Sequence, residues 1–195
     1  SDLAVEIEQT ASARGLFVGV EYHKRFDRRS LIARKDYRDG KYGEFVIGDA
    51  RMIEPYCYRH SNFANWFTVE NTDPFVYVGC HYTDFVTFVT GLKPTSVSVA
   101  GVMRPFPNGV ETCMWTNARV GFENGAILSV LNGLGYPDDA GGSNDQGITM
   151  FCEGDGCTGL IDHDDQFRGV AVGSVGDGKR YRYVSPDYFQ YVPWE

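Results

Sequence analysis

The sequence has no long apolar run and no excess of positive charge. None of its apolar stretches reaches the roughly 18 to 20 residues that a transmembrane helix needs. Its 18 Lys and Arg residues stand against 26 Asp and Glu residues, for a net charge of -8. Nucleic-acid backbones and anionic membranes are bound through basic patches, so this balance argues against both as partners. A small neutral molecule is the ligand class that fits the charge best.

The sequence also lacks a dinucleotide-binding unit. No strand–helix–strand pattern precedes the first predicted helix, and we expect no Gly-x-Gly-x-x-Gly turn after a strand anywhere in the sequence. In the usual dinucleotide site such a turn and the helix after it hold the pyrophosphate. We therefore expect that this chain by itself does not bind a nicotinamide dinucleotide in the usual way.

Cysteine is scarce, odd in number and without a framework spacing. With five cysteines at least one thiol is free, which favours a reducing compartment and a cytoplasmic location, although an exported form stays open. Cys152 and Cys157 flank a turn sequence and could lie opposite each other across a hairpin, with His163 nearby. Without a Cys-x-x-Cys pair, however, we expect no metal site.

The patterns that are present predict an α+β domain of 195 residues. An opening helix (Asp2 to Arg14), an apolar strand covered on both faces (Leu16 to Tyr22), a second helix (Ser30 to Asp39) and a long strand (Gly43 to Tyr56) come first. Beyond residue 95 short alternating runs are separated by turn residues, as in an antiparallel meander. Together they predict an open, largely antiparallel sheet with helices on one face.

The stretch from Pro74 to Leu92 predicts a helix with two different faces. At about 100° per residue, its Phe and Val side chains form one apolar stripe, while Tyr77, His81 and Asp84 line up well away from it. The apolar stripe is suited to packing and the polar face to chemistry. The alternative is a core helix in which His81 only satisfies a neighbour, and position along the helix does not distinguish the two.

The segment GCHYTDFVTFVTGLKPTSVSV resembles the histidine helix of the glucose-fructose oxidoreductase, inositol dehydrogenase and MocA family. The family pattern is an Asp four residues before a His, a second Asp three residues after it, a glycine turn and a strand. His81, Asp84 and Gly91 match it, whereas Tyr77 stands in place of the first Asp. The segments VGVEYHKRFD and DGKYGEFVIGDARM extend the resemblance in order and spacing.

The resemblance implies a nicotinamide-dependent oxidation of a secondary alcohol on a sugar, cyclitol or related polyol. His81 would accept or return the hydroxyl proton, Asp84 would orient its imidazole, and Tyr77 could only hydrogen-bond where the family has a carboxylate. The remaining candidates share a position near this predicted site and would contact substrate hydroxyls or stack on a sugar: Tyr22, Arg25, Trp66 and Tyr82.

The resemblance also implies that residues 1–195 are a C-terminal substrate-binding and oligomerisation domain, with residues 1–15 as a linking helix. NAD or NADP would be held by an N-terminal Rossmann domain outside this sequence, so we expect this fragment alone to be inactive. Self-association would use the open sheet. Two alternatives stay open: a catalytically silent member that binds a sugar or a protein, and an unrelated carbohydrate-binding or structural module suggested by the aromatic and acidic loops.

Overall fold

The computed structural model describes residues 2–137, 144–164, 170–175 and 180–184. Their strands are β1 (Glu44–Pro55), β2 (Pro94–Pro105), β3 (Glu111–Phe122), β4 (Ile127–Tyr136), β5 (Asp145–Gly154), β6 (Cys157–Asp164), β7 (Val170–Val175) and β8 (Arg180–Val184). They form one sheet in the order β2-β3-β4-β1-β5-β6-β7-β8, in which β1 and β4 run parallel and all other neighbours are antiparallel. This confirms the α+β class and the largely antiparallel sheet.

Three α-helices accompany the sheet: α1 (Asp2–Ala13), α2 (Arg28–Arg38) and α3 (Cys80–Thr90). The predicted opening and second helices are thus present, the second starting two residues early because Asp27 caps it by accepting from the Arg29 amide at 2.9 Å. Helices α2 and α3 pack together on one face of the sheet. No helix in the described part of the chain is long and apolar enough to cross a membrane.

The core lies between α3 and the helix-facing side of the central strands. Phe85, Val86 and Val89 of α3 are buried against alternate residues of the strands, such as Leu128 and Met150. The alternation of buried and exposed positions along β3 is the pattern expected of a sheet that is covered on one face. A smaller aromatic and aliphatic cluster sits beside this core, around Phe67, Phe106, Met114 and Leu134.

The predicted strand from Leu16 to Tyr22 is wrong. These residues form neither helix nor strand, and most are exposed, with Phe17 at 94%. The composition is that of a buried strand. However, no described strand pairs with this segment, and no described element covers its faces. The apolar residues of α1, including Leu3, Val5 and Ile7, are exposed in the same way.

The β5–β6 hairpin resolves two features of the sequence. The expectation that no Gly-x-Gly-x-x-Gly follows a strand is wrong, because Gly154, Gly156 and Gly159 spell this motif at the end of β5. Gly156 lies in the tight turn and Gly159 in β6, so the motif leads into a strand and no helix N-terminus follows for a phosphate. In the register of this hairpin Cys152 lies opposite Gly159, not opposite Cys157. The two cysteines are therefore not a cross-strand pair, and the Cys157 side chain lies outside the described part of the structure.

Candidate functional site

The helix that carries His81 begins and ends as the sequence predicts. The Asp73 carboxylate accepts from the backbone amides of Phe75 and Val76 at 2.7 and 3.0 Å, with Pro74 at the first helical position. A π-helical turn, Phe75–Gly79, leads directly into α3. Gly91, at φ 83°, closes the helix in the left-handed conformation. The widened first turn lies beside the polar face, where such turns are common at functional sites.

Gly79 brings this helix onto the sheet. A Cβ at that position would clash with the Asn132 Oδ1 of β4, so glycine allows the close approach. The side-chain amide of Asn132 is fully buried and donates to the Met52 carbonyl of β1 at 3.4 Å, while its Oδ1 accepts no hydrogen bond from the described residues. The start of the helix is thereby fixed over the carboxyl-terminal end of β1.

His81 is partly buried and lies among polar and aromatic groups. Its ring centroid is 4.8 Å from that of His23 and 5.9 Å from that of Tyr22, both edge-on. Burial, followed by the nearby His23 and Lys24, lowers the pKa of His81 from 6.5 to about 4, against an opposing effect of Asp84. The imidazole is thus neutral near pH 7, and its Nδ1 has no hydrogen-bond partner among the described residues.

Asp84 is engaged by Arg25. The Arg25 Nε donates to Asp84 Oδ2 at 2.8 Å and its Nη2 donates to Oδ1, which makes a bidentate ion pair. This pair ties the short 3₁₀ helix His23–Phe26 to α3 and holds Tyr22, whose ring lies 5.3 Å from the guanidinium carbon. Asp84 therefore positions the elements around His81, and Arg25 is its partner.

Lys24 is a buried cation that the sequence analysis did not select. It is 5% exposed, and its Nζ donates to Gln146 Oε1 at 3.0 Å while lying 4.6 Å from the centre of the Tyr82 ring. Gln146 in turn donates to Asn144 Oδ1 at 3.3 Å. Its burial depends on a partner 122 positions away in the chain, which leaves no local signal in the sequence.

Glu54 is a buried carboxyl that was also missed. It is 6% exposed and lies on the same face of β1 as the core residues Ala50 and Met52. Burial raises the pKa of Glu54 above its ordinary 4.5, while the positive charge of Lys24 opposes the shift. The alternation along β1 could have revealed it, because a charged residue at an inward position of a strand is unusual.

Tyr77 belongs to an aromatic cluster next to these charges. Its ring packs edge-on against Phe63, Trp66 and Phe67 with centroid distances of 5.4 to 5.8 Å. Burial, and then the negative charge of Glu54, raise the pKa of Tyr77 above 10. The hydroxyl is therefore a neutral hydrogen-bond donor. Trp66 is 37% exposed, so part of its ring faces solvent at the edge of the cluster.

The structure brings most of the predicted site residues together. Tyr22, Arg25, His81 and Asp84 form one contact network. Tyr77 and Trp66 contact each other in the aromatic cluster, and Tyr77 stands four residues before His81 in the sequence. Tyr82 differs, because it is fully buried in the core beneath Lys24 and presents no surface to a ligand in this chain. One helical residue after His81, its side chain points inward with the apolar stripe.

The sequence profile of the GFO/IDH/MocA C-terminal domain matches residues 31–154, which include most of the second helix, the histidine helix and the first five strands. The chain belongs to this family. No curated protein sequence matches the chain.

Solved structures with low sequence identity share the fold. A provisionally assigned oxidoreductase from Thermotoga maritima has a TM-score of 0.73 at 16% identity, over 93% of this chain and 53% of its own. The scyllo-inositol dehydrogenase of Lactobacillus casei, solved with NAD(H) and scyllo-inositol, gives 0.60 at 19% identity, over 77% and 44%. A super-repressor mutant of Gal80p from Saccharomyces cerevisiae gives 0.68 at 14% identity, over 94% and 50%. The family chain described here thus spans about half the length of these structures.

Proposed function

We propose that this family domain is the C-terminal half of an NAD(P)-dependent oxidoreductase that acts on a secondary alcohol of a sugar, cyclitol or related polyol. The observation that carries the proposal is the neutral, partly buried His81 imidazole, whose Nδ1 has no hydrogen-bond partner in the described structure. A neutral imidazole can accept the hydroxyl proton as hydride leaves for the nicotinamide. A nearby lysine opposes its protonation in the resting site.

Within this proposal the other side chains have supporting roles. Asp84 is a positioning residue, because its bidentate pair with Arg25 fixes the 3₁₀ helix that packs against His81. Tyr22 and the exposed edge of Trp66 would contact substrate, as aromatic rings stack well on sugar faces. Tyr77 supplies a neutral hydroxyl. Tyr82 is left out of the proposed substrate contacts because it is buried.

The cofactor would be NAD or NADP bound by an N-terminal Rossmann domain that contacts residues 2–22. These residues expose seven large apolar side chains that the described domain leaves uncovered: Leu3, Val5, Ile7, Leu16, Phe17, Val18 and Val20. An exposed apolar surface of this extent is typical of an interface. The scyllo-inositol dehydrogenase neighbour was solved with NAD(H), which supports the cofactor class. The cytoplasm remains our predicted compartment, on the odd cysteine count.

Residues 1–195 alone should then bind no nicotinamide dinucleotide and catalyse nothing. Calorimetric titration of NAD⁺, NADH, NADP⁺ and NADPH into this chain should give no heat of binding. Micromolar affinity for any of the four would contradict the proposal that a separate N-terminal domain binds the cofactor.

Replacement of His81 tests the reaction itself. In the full-length protein, His81→Ala should lower kcat by about 10² to 10⁴, the usual contribution of a general acid or base, with a small change in thermal stability. His60→Ala is the matched control, because His60 is exposed and lies outside the contact network. If His81→Ala unfolds the protein while turnover per folded molecule stays intact, the histidine is structural.

A catalytically silent, ligand- or protein-binding role is the second candidate. Tyr77 favours it, since a neutral phenol packed into an aromatic cluster replaces a carboxylate of the family pattern. The fold is also shared by Gal80p, whose solved mutant is a super-repressor. Tyr77→Asp distinguishes the two candidate functions. The replacement should maintain or raise turnover if the protein is an enzyme, and it should produce no turnover if the protein is catalytically silent.

The open face of the sheet is the proposed surface for self-association. Ile47, Leu131 and Phe151 point away from the helices and are each exposed by more than a third. Isologous contacts of such a face are a common way to form dimers. Sedimentation at high concentration should show a dimer or larger species, and Phe151→Lys should shift it toward monomer. A monomer at every concentration would exclude this surface.

A further inference from the structure

Helix α2 is strongly basic in a chain of net negative charge. Five of its 11 residues are Arg or Lys against one Asp, although the whole chain has a net charge of -8. Some of these cations have a carboxylate partner, as in the buried pair of Arg29 with Asp27. Arg34 and Arg38, one helical turn apart, form no ion pair with any carboxylate in the described part of the chain.

Phe88 of α3 holds the guanidinium group of Arg34 in place. The guanidinium carbon of Arg34 lies 4.3 Å from the centre of the Phe88 ring, and that of Arg25 lies 5.8 Å from the same centre. At such distances the face of an aromatic ring attracts a guanidinium group. Burial, followed by the positive charges of Arg38 and Arg25, lowers the pKa of Arg34 from its ordinary value. The three guanidinium groups are therefore close enough to repel one another.

Positive charge exceeds negative charge in this group. Among the described residues the Asp84 carboxylate is the one acid that an ion pair joins to the three arginines, and Arg25 binds both of its oxygens. Arginine keeps its charge near neutral pH, so three cations share one anion. Like charges held together are unfavourable unless an anion offsets them. A phosphate or carboxylate of a ligand would supply that anion, and the planar donor fork of arginine suits both.

The three guanidinium groups begin where the proposed reaction site ends. Asp84 and Phe88 follow His81 by three and seven residues, so the three lie on one face of α3. At 1.5 Å per residue, Phe88 is about 10 Å beyond His81 along the helix. Arg25 connects the two ends, because it pairs with Asp84 and also lies against Phe88. One elongated ligand would reach the imidazole at one end and Arg34 at the other.

We propose that Arg34 and Arg38 bind an anionic group, a phosphate or a carboxylate, carried by the substrate whose alcohol reaches His81. The substrate class is then a phosphorylated or acidic sugar or polyol, charged at the end remote from the reacting alcohol. Phe88 orients the Arg34 guanidinium for this contact. The inference rests on the proposed function, because it assigns the substrate of the same site. The net negative charge of the chain does not prevent such binding, since exposed charges beyond about 10 Å are largely screened by salt.

Three sugars that differ only at C6 test the proposal: D-glucose, D-glucuronate and D-glucose 6-phosphate. Calorimetry on the full-length protein should give a Kd for D-glucose 6-phosphate that is about tenfold or more below that for D-glucose. D-glucuronate distinguishes the two anions, because a site suited to carboxylates binds it as tightly as the phosphate. Inorganic phosphate should compete with D-glucose 6-phosphate but bind about tenfold or more weakly, since it lacks the sugar. Added salt should reduce the preference for the charged sugars.

Replacement of both arginines should remove the preference. In Arg34→Gln combined with Arg38→Gln, the ratio of the Kd values for D-glucose and D-glucose 6-phosphate should fall by about tenfold or more, with the Kd for D-glucose unchanged. Arg34→Lys keeps the charge without the planar fork and should lose less of the preference. Arg119→Gln is the matched control, because Arg119 is an exposed residue of β3 on the face away from the helices. Thermal unfolding of each variant reports folding independently of the probes.

An unchanged ratio in the double variant overturns the inference, and so does failure of the unaltered protein to bind either charged sugar. Equal affinity for inorganic phosphate and D-glucose 6-phosphate also overturns it, because the arginines would then hold a free anion. Turnover with NAD⁺ or NADP⁺ in the same samples separates the inference from the proposed function. Preference for a charged sugar without hydride transfer retains the anion site and removes the oxidoreductase. Hydride transfer with equal affinity for the neutral and charged sugars does the opposite.

Discussion

Residues 16–22 and residues 75–90 are both rich in large apolar side chains, yet they end in opposite environments. Phe17 is 94% exposed, whereas Phe85 is 2% exposed. The histidine helix meets the central strands on one side and α2 on the other. The N-terminal segment meets no described element that could cover it. Apolar composition therefore predicts that a segment needs a partner, and the fold decides whether this domain contains that partner.

A matched pair of phenylalanine replacements should show this difference most strongly. Phe85→Ala removes a buried ring that packs edge-on against His163 at 5.1 Å, and should lower the free energy of unfolding of residues 1–195 by about 3 to 5 kcal/mol. Phe17→Ala removes an exposed ring and should change it by less than about 0.5 kcal/mol. Urea denaturation measures both. Equal losses would mean that residues 16–22 pack onto this domain in solution.

The polar face of the histidine helix should make stability depend on pH. The pKa of His81 is about 4 in the folded chain and 6.5 unfolded, so between these values the unfolded chain binds the extra proton. The free energy of unfolding should therefore fall as pH drops from 6.5 to 4, by roughly 1 to 3 kcal/mol after allowance for solvent screening. His81→Gln should remove this part of the fall. An identical pH profile in the variant would show that the imidazole is not held neutral.

The N-terminal caps of the histidine helix and of α1 should also differ in their contribution to the free energy of unfolding, by a smaller amount. Asp73 accepts two backbone hydrogen bonds at the start of the histidine helix, so Asp73→Ala should cost about 1 kcal/mol of stability. Asp2 starts α1, a helix whose apolar residues are largely exposed, so Asp2→Ala should cost almost nothing at the level of global unfolding. Chemical denaturation of the two variants checks this, and a larger loss for Asp2→Ala would contradict the comparison.

The candidate site could be predicted only in part. The spacing of Tyr77, His81 and Asp84 predicts that they share one helix face, because helical geometry is local. In the structure Asp84 pairs with Arg25, and Tyr77 packs in the aromatic cluster. The Arg25–Asp84 pair joins residues 59 positions apart and has no local signature. Glu54 was missed although it stands at an inward position of β1, because charged residues are seldom buried.

Apart from the stretch from Leu16 to Tyr22, the sequence by itself determined the types of the main elements, the boundaries of the histidine helix and the alternating strands, because caps, helical faces and strand alternation depend on neighbours within a few residues. It also determined the family through that helix and the segments before it. Only the tertiary structure decided which apolar stretch is covered, that Tyr82 belongs to the core, and that Lys24 and Glu54 are buried. These outcomes depend on contacts between distant segments, and burial in such contacts is what lowers the pKa of His81 and raises the pKa of Glu54.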